Sequence, residues 1–256
     1  MNIDLNCDMG ESFGAYSLGM DSDIVASVSS VNIACGFHAG DPQVMGRTVK
    51  LAQEHGVAIG AHPGFPDLLG FGRRNMECSL DEIGAYLTYQ IGALQGFCTA
   101  HGARLRHVKP HGALYNLAAG NEDLVRALAQ AIGRIDRNLI LVGLAGQDSA
   151  RLAAIAGEEG VAMVFEAFPD RAYTPEGTLV LRRLPGAIIH DPEEAAARAL
   201  RMVTDGVVIA VDGTEVALSA QTLCVHGDNP QGVALAAAIR ARLEAAGIAV
   251  RPMQPA

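Results

Sequence analysis

The sequence predicts an α/β fold, closed as an irregular seven-stranded β/α barrel with a small β-hairpin insertion, in one domain over residues 1–256. Three observations carry that prediction. Short apolar runs alternate with segments of helical periodicity along the chain. Six of the runs end in polar, chemically capable residues: 3–8 then Glu11, 31–35 then His38 and Asp41, 57–62 then Asp67, 104–111 then Tyr115, 163–166 then Asp170 and Arg171, and 223–226 then Asp228. Parallel strands bring all their carboxyl ends to one face, so one shared pocket accounts for these residues. An open doubly wound sheet fits the alternation equally well. It concentrates chemistry at a switch point, however, whereas here polar residues follow nearly every strand.

The runs 3–7, 31–35, 57–61, 105–109, 139–143, 161–166 and 222–226 are short and rich in Val and Ile, as expected of strands buried on both faces. Helical periodicity covers 42–55, 79–101, 122–134, 148–159, 192–205 and 230–246. Asp41-Pro42, Asp191-Pro192 and Asn229-Pro230 read as an N-cap followed by Pro at the first helical position. Ser79 with Glu82 reads as a capping box. Gly56, Gly102, Gly160, Gly206 and Gly247 follow the helical runs, where a left-handed residue ends a helix. Two β-like runs in 207–218 flank Asp212-Gly213, a hairpin signal. Residues 63–78, with Arg73 and Arg74, and 169–190, with Arg171, Arg182 and Arg183, are long connections suited to covering a pocket and meeting an anion. The tail 251–256 is expected to be loose.

Half of the 256 residues are hydrophobic, 18% are charged and Trp is absent, which suits a packed globular enzyme rather than a disordered chain. A net charge of −9 with 19 scattered Lys and Arg residues offers no nucleic-acid surface. No apolar run approaches the roughly 20 residues that span a bilayer. The N-terminus enters a strand pattern without a charged leader. Cys7, Cys35, Cys78, Cys98 and Cys224 form neither a CxxC pair nor a disulfide framework. A cytoplasmic protein without membrane attachment is expected, and a homo-oligomer is compatible with the sequence.

Alternation places Asn6 and Asp8 on one side of the first strand, the axis side at the top of a barrel. Asp8 suits a general base or a metal ligand, or else a loop carboxylate. Asn32 lies mid-strand, where its amide needs partners. Cys35 reads as a small buried thiol before it reads as a nucleophile, and Asp41 equally as a helix cap. His38, His62, His111 and His226 all follow apolar strands, whereas His55, His101 and His107 lie near helix ends or a strand start; the first four permit proton shuttling or divalent-metal binding. Lys109, in an apolar strand, needs a partner such as Asp8, Glu166 or a substrate carboxylate, and desolvation could lower its pKa enough for acid/base work. No GxxxxGK[ST], GxGxxG or GxSxG motif is present, which weakens autonomous NTPase, dinucleotide dehydrogenase and serine hydrolase readings.

The blocks DLNCDMGESFG at 4–14, NIACGFHAGDP at 32–42, GAHPGFPD at 60–67, FGRR at 71–74, VKPHGALYN at 108–116, EAFPDRAY at 166–173 and CVHGDNP at 224–230 resemble the LamB/YcsF family of 5-oxoprolinase A subunits over nearly the full length. The resemblance implies a glycoside hydrolase/deacetylase-like barrel. It also implies ATP-dependent opening of 5-oxo-L-proline to L-glutamate, with ATP as cosubstrate of a complex containing subunits B and C. Within it, Asp8 or His62 is expected to position and deprotonate the water, Lys109 and His111 to stabilise the developing oxyanion, and Arg73 or Arg171 to meet the substrate carboxylate. Asn6, Glu11, Asn32, His38, Tyr115, Glu166, His226 and Asp228 complete the expected substrate site. Two rival readings stand beside it. One is a metal-dependent deacetylase acting on an acylated sugar, with Asp8, His62 and His226 as ligands. The other is a non-catalytic oxoproline-binding subunit.

Overall fold

A computed structural model describes residues 1–227 and 229–255; Asp228, an expected site residue, lies outside the described residues. The first half of the chain runs β1 (Asn2–Met9), α1 (Asp21–Ile24), β2 (Ser30–Ala34), α2 (Pro42–Glu54), β3 (Ala58–His62), α3 (Leu80–Ala100), β4 (Leu105–Val108), α4 (Gly112–Ala118) and α5 (Glu122–Ile135). The second half runs β5 (Ile140–Leu144), α6 (Ser149–Glu158), β6 (Ala162–Ala167), α7 (Pro192–Thr204), β7 (Val207–Ile209), β8 (Glu215–Ala217), β9 (Thr222–Cys224), α8 (Pro230–Ala245) and β10 (Ala249–Val250). Caps form where the sequence places them. Asp41, Asp191 and Asn229 each accept backbone N–H groups of the following turn, and Ser79 with Glu82 closes a capping box.

The seven expected strands form a parallel ring in the order β1-β2-β3-β4-β5-β6-β9, and β9 returns to β1 with Asp4 opposite Thr222 and Asn6 opposite Cys224. The 207–218 segment is the expected antiparallel hairpin, β7 on β8. Three features depart from expectation. The helix α4 begins directly after His111, which supplies no side-chain cap, so no start signal marks it. The short strand β10 adds to Asn2 and Ile3 at the start of β1. The tail is not loose: Arg251 donates its N–H to Ile3 O, and Met253 is buried against Ile140, Val142 and Val164. Burial of one thioether anchors a segment that its two prolines keep out of regular structure.

The two faces of the ring differ in chemistry, with Asn6 and Asp8 on the axis side as expected. Leu5, Cys7 and Met9 point outward and share one core with Val31, Ile33, Val49, Leu87, Ile91 and Leu128 from the surrounding elements. The alternate residues Asp4, Asn6 and Asp8 bond across the ring, so its inner face is polar over much of its height. At the lower level Asp4 accepts from Ser29 and Ser30 on one oxygen and from Thr222 on the other, tying β1 to β2 and to the closing strand β9. One level up, Gly60 makes room for the His107 ring: a Cβ at Gly60 would lie 2.0 Å from His107 Nε2. No described helix is long and apolar enough to cross a membrane.

Burial raises the Asp4 carboxyl from 3.8 to about 6, against the pull of its three hydroxyl donors. A carboxyl raised by folding favours the protonated form. Its contribution to stability is therefore full below its unfolded pKa and is lost as pH rises through the folded value. Asp4→Asn should flatten the fall in stability between about pH 4 and 6. Urea unfolding of both proteins across that window checks this; identical slopes would mean that Asp4 does not titrate there.

Candidate active site

The upper end of β4 delivers Lys109, held by its own N–H on Ala61 O at 2.9 Å. Its ammonium is 3% exposed and lies 3.0 Å from Asp8 Oδ1 and 2.9 Å from Glu166 Oε2, with Cys224 Sγ at 3.2 Å. Each carboxylate is fixed in turn. Asp8 Oδ1 accepts from Asn32 Nδ2 at 2.9 Å, and Glu166 accepts from Asn6 Nδ2 and from the Tyr115 hydroxyl, each at 2.9 Å. Asn6 Oδ1 takes the other Asn32 bond at 2.7 Å, and His107 lies 2.7 Å from Asn32 Oδ1. Five strands thus meet in one hydrogen-bonded layer.

Electrostatics settle the charge states of this layer. Burial works against the Lys109 ammonium, but the charges around it, Asp8 first, hold its pKa well above the ordinary lysine value. The expectation of a lysine depressed for acid/base work is thereby corrected: two carboxylates outweigh desolvation, and Lys109 stays a cation. Burial would raise Asp8, yet His62 and Lys109 hold it well below the usual carboxylate range. Burial, followed by the Lys109 charge, lowers His107 to about 3, and burial, followed by the His62 charge, lowers His111 to about 3. Both rings are neutral near pH 7.

Beside the lysine lies a histidine wall. His62 Nε2 is 3.3 Å from Asp8 Oδ2 and 2.9 Å from His111 Nδ1. His38 stacks flat on His111 at 3.7 Å. The other nitrogens of His62 and His111 bond to Lys109 O and Phe71 O, at 2.7 and 2.8 Å. Phe71 takes a left-handed φ of 54°, the one positive φ among the described non-glycine residues. That conformation costs about 1–2 kcal/mol, and it aims the Phe71 carbonyl at His111. Glu11, His38, His62 and His111 each place one donor atom within 4.8 Å of the others, a group that could hold a metal ion.

Above the lysine opens a cavity of about 480 Å³, lined by Asp8, Glu11, His62, Arg73, Lys109, His111, Tyr115, Arg171 and His226 among others. All four expected catalytic residues reach it. Asn6, Asn32 and Glu166 do not: they sit beneath and beside Lys109 and hold the residues that do. His38 is fully buried behind His111. Arg171 lines the cavity but donates to Val180 O at 2.6 Å and Ala187 O at 3.3 Å, bracing the 169–190 loop. His226 is engaged by Asp170 and by Arg182, so the expected metal set of Asp8, His62 and His226 is not the one whose donor atoms cluster. Burial pushes the Cys35 thiol up to about 12, which leaves it inert, and Asp41 is a helix cap that also receives Gly14 N. His107 is a residue that sequence reasoning misplaced. It lies in mid-strand, two residues before Lys109, and that period-2 spacing was the available signal.

Removing the Lys109 ammonium leaves the buried Glu166 carboxylate and the half-buried Asp8 carboxylate without their shared cation. Lys109→Met should destabilise the fold by about 3–5 kcal/mol, and adding Glu166→Gln should recover a large part of that loss. Urea denaturation of the single and double variants measures both effects; an unchanged midpoint in the single variant would contradict the ion-pair assignment.

Comparison with known proteins places this geometry in context. A protein from Heliobacterium modesticaldum that bears the name of the 5-oxoprolinase A subunit is 56% identical over 251 residues, 98% of each chain. One of the same name from Syntrophobacter fumaroxidans is 53% identical over 253 residues, 99% of each chain. The crystal structure of a lactam utilization protein from Thermus thermophilus superposes with a TM-score of 0.91 at 52% identity, over 98% of this chain and 99% of that one. A GH113 β-1,4-mannanase, at 11% identity and a TM-score of 0.54, shares the fold alone. The LamB/YcsF family model matches residues 3–256, and the chain belongs to the LamB/YcsF family.

Proposed function

We propose that this chain is the A subunit of an ATP-dependent 5-oxoprolinase and opens the lactam ring of 5-oxo-L-proline to give L-glutamate. The observation that carries this reading is the convergence of Asp8, His62, Lys109 and His111 on one cavity, in a chain whose near-full-length relatives bear that name. The five described cysteines are free, which suits a cytoplasmic setting.

An unstrained lactam is a poor electrophile, and the sequence carries no phosphate-binding loop. Partner subunits B and C, with ATP, supply the activation by transferring a phosphoryl group to the lactam oxygen. Water then adds to the ring carbon, and the Asp8–His62 pair takes its proton. Lys109, a permanent cation here, and His111 face the charge that develops on oxygen. Cleavage of the C–N bond with protonation of the nitrogen opens the ring to an acyl phosphate. A second water releases phosphate and leaves the new carboxylate. Arg73 and Arg171 both line the cavity, and the substrate carboxylate falls to one of them.

The test is an ATP-dependent 5-oxoproline assay with subunits B and C added or omitted. Glutamate and phosphate should form only in the complete mixture, and ATP hydrolysis by the isolated chain would reject this division of labour. In the complete mixture Asp8→Asn should lower turnover by roughly 100- to 10,000-fold. Near-normal turnover would remove Asp8 from the mechanism.

A further inference from the structure

We propose that His38, His62 and His111, together with Glu11, bind one divalent transition-metal ion in the wall of the cavity, with Zn²⁺ the best match to the donors.

The hydrogen bonds of two rings demand a cation. His62 Nδ1 lies on Lys109 O and His111 Nε2 on Phe71 O. A carbonyl oxygen only accepts, so both of these nitrogens carry their protons. With one proton on each ring, the remaining nitrogens, His62 Nε2 and His111 Nδ1, point lone pairs at each other across 2.9 Å. A proton could bridge that pair, but it would leave His38 unexplained. Both His38 nitrogens are buried without a hydrogen-bond partner among the described residues, and a buried polar group left unpaired is destabilising. Its Nδ1 edge faces the Gly64 backbone, where a Cβ would come within 2.8 Å, and its Nε2 lies 4.0 Å from Glu11 Oε1.

One ion relieves the facing lone pairs and gives one His38 nitrogen a partner. Zinc sits about 2.0–2.1 Å from imidazole nitrogen and carboxylate oxygen, so tetrahedral ligand atoms stand roughly 3.3 Å apart. The four donor atoms here already lie within 4.8 Å of one another. Metal-bound imidazoles characteristically give their second nitrogen to a backbone carbonyl or carboxylate, as His62 and His111 do. Three imidazoles with one carboxylate favour Zn²⁺, Co²⁺ or Ni²⁺ over Mg²⁺ and Ca²⁺, which take oxygen ligands. The three rings are 0%, 1% and 4% exposed, so the ion would be held out of bulk water. With His62 Nε2 ligated, Asp8 becomes the proton acceptor of the Asp8–His62 pair.

The site does not depend on the lactam reading, and its test uses no substrate, so either can fail alone. The full chain is stripped with a chelator, reloaded with Zn²⁺ or Co²⁺, desalted and assayed for retained metal; Zn²⁺ affinity is then measured by titration calorimetry. One ion per chain is expected. His38→Gln and His111→Gln should each weaken Zn²⁺ binding by more than the roughly 10–100-fold that removal of an outer-shell partner costs, while His226→Gln leaves the affinity unchanged. No retained ion in the parent chain, wild-type affinity in both ring variants, or a matching loss in His226→Gln would overturn the proposal. Should the ring variants fail to fold, the Co²⁺-loaded parent chain decides. Exchangeable imidazole N–H resonances shifted by cobalt, from His62 and His111, support the site, and their absence overturns it.

Discussion

A single buried ammonium, Lys109, held between Asp8 and Glu166, sets the arrangement of the barrel interior. The ammonium is buried between them, and a buried cation stays charged only where such partners meet it. The three residues come from β1, β6 and the end of β4. Asn6, Asn32, Tyr115 and His107 occupy the remaining hydrogen-bonding positions around the trio. A layer satisfied in this way is rigid, because moving any member leaves a buried polar group without its partner. The geometry of the cavity floor is therefore a by-product of the same bonds that close the ring.

Much of the fold was legible because its signals are local. Val- and Ile-rich runs, Asp-Pro and Asn-Pro caps, and glycines after helical runs mark seven strands and six helices at close to their observed limits. What local signals omit went unread: α4 without a capping side chain, the short β10, and the Met253 anchor, which depends on contact with distant β5 and β6. At the site, the convergence of Asp8, His62, Lys109 and His111 followed from topology alone. The depth of each residue did not. Whether Asn6 touches a ligand or supports a residue that does depends on one step of the pleat, and sequence carries no absolute height along a strand. Asp8 and Glu166 stood among the named partners of Lys109, but that both meet it at once, and so fix its charge, depends on the packing of β1 and β6 around it.

The rim is built differently from the floor. Arg198 donates to Pro169 O at 3.1 Å and Arg171 O at 2.7 Å, while Arg171 itself reaches Ala187 O and Val180 O. Guanidinium groups here replace secondary structure as the support of a long connection. On the opposite side, Asp67 pairs with Arg74 and receives Gly70 N, which shapes the turn that presents Phe71 and Arg73. Both loops are thus shaped by their own arginines, and few of those guanidinium groups remain for a ligand.

The sign of charge changes along the depth of the cavity. At its base two carboxylates share one ammonium, whereas Arg73, Arg171 and Arg182 line its upper wall. An anionic heterocycle entering this gradient is turned before it touches anything: its charged substituent is repelled from the depths and drawn outward, and its neutral edge goes in first. For 5-oxoproline, the substrate proposed above, that edge is the amide. Orientation by the field precedes recognition by contact, and it would weaken as added salt screens the mouth.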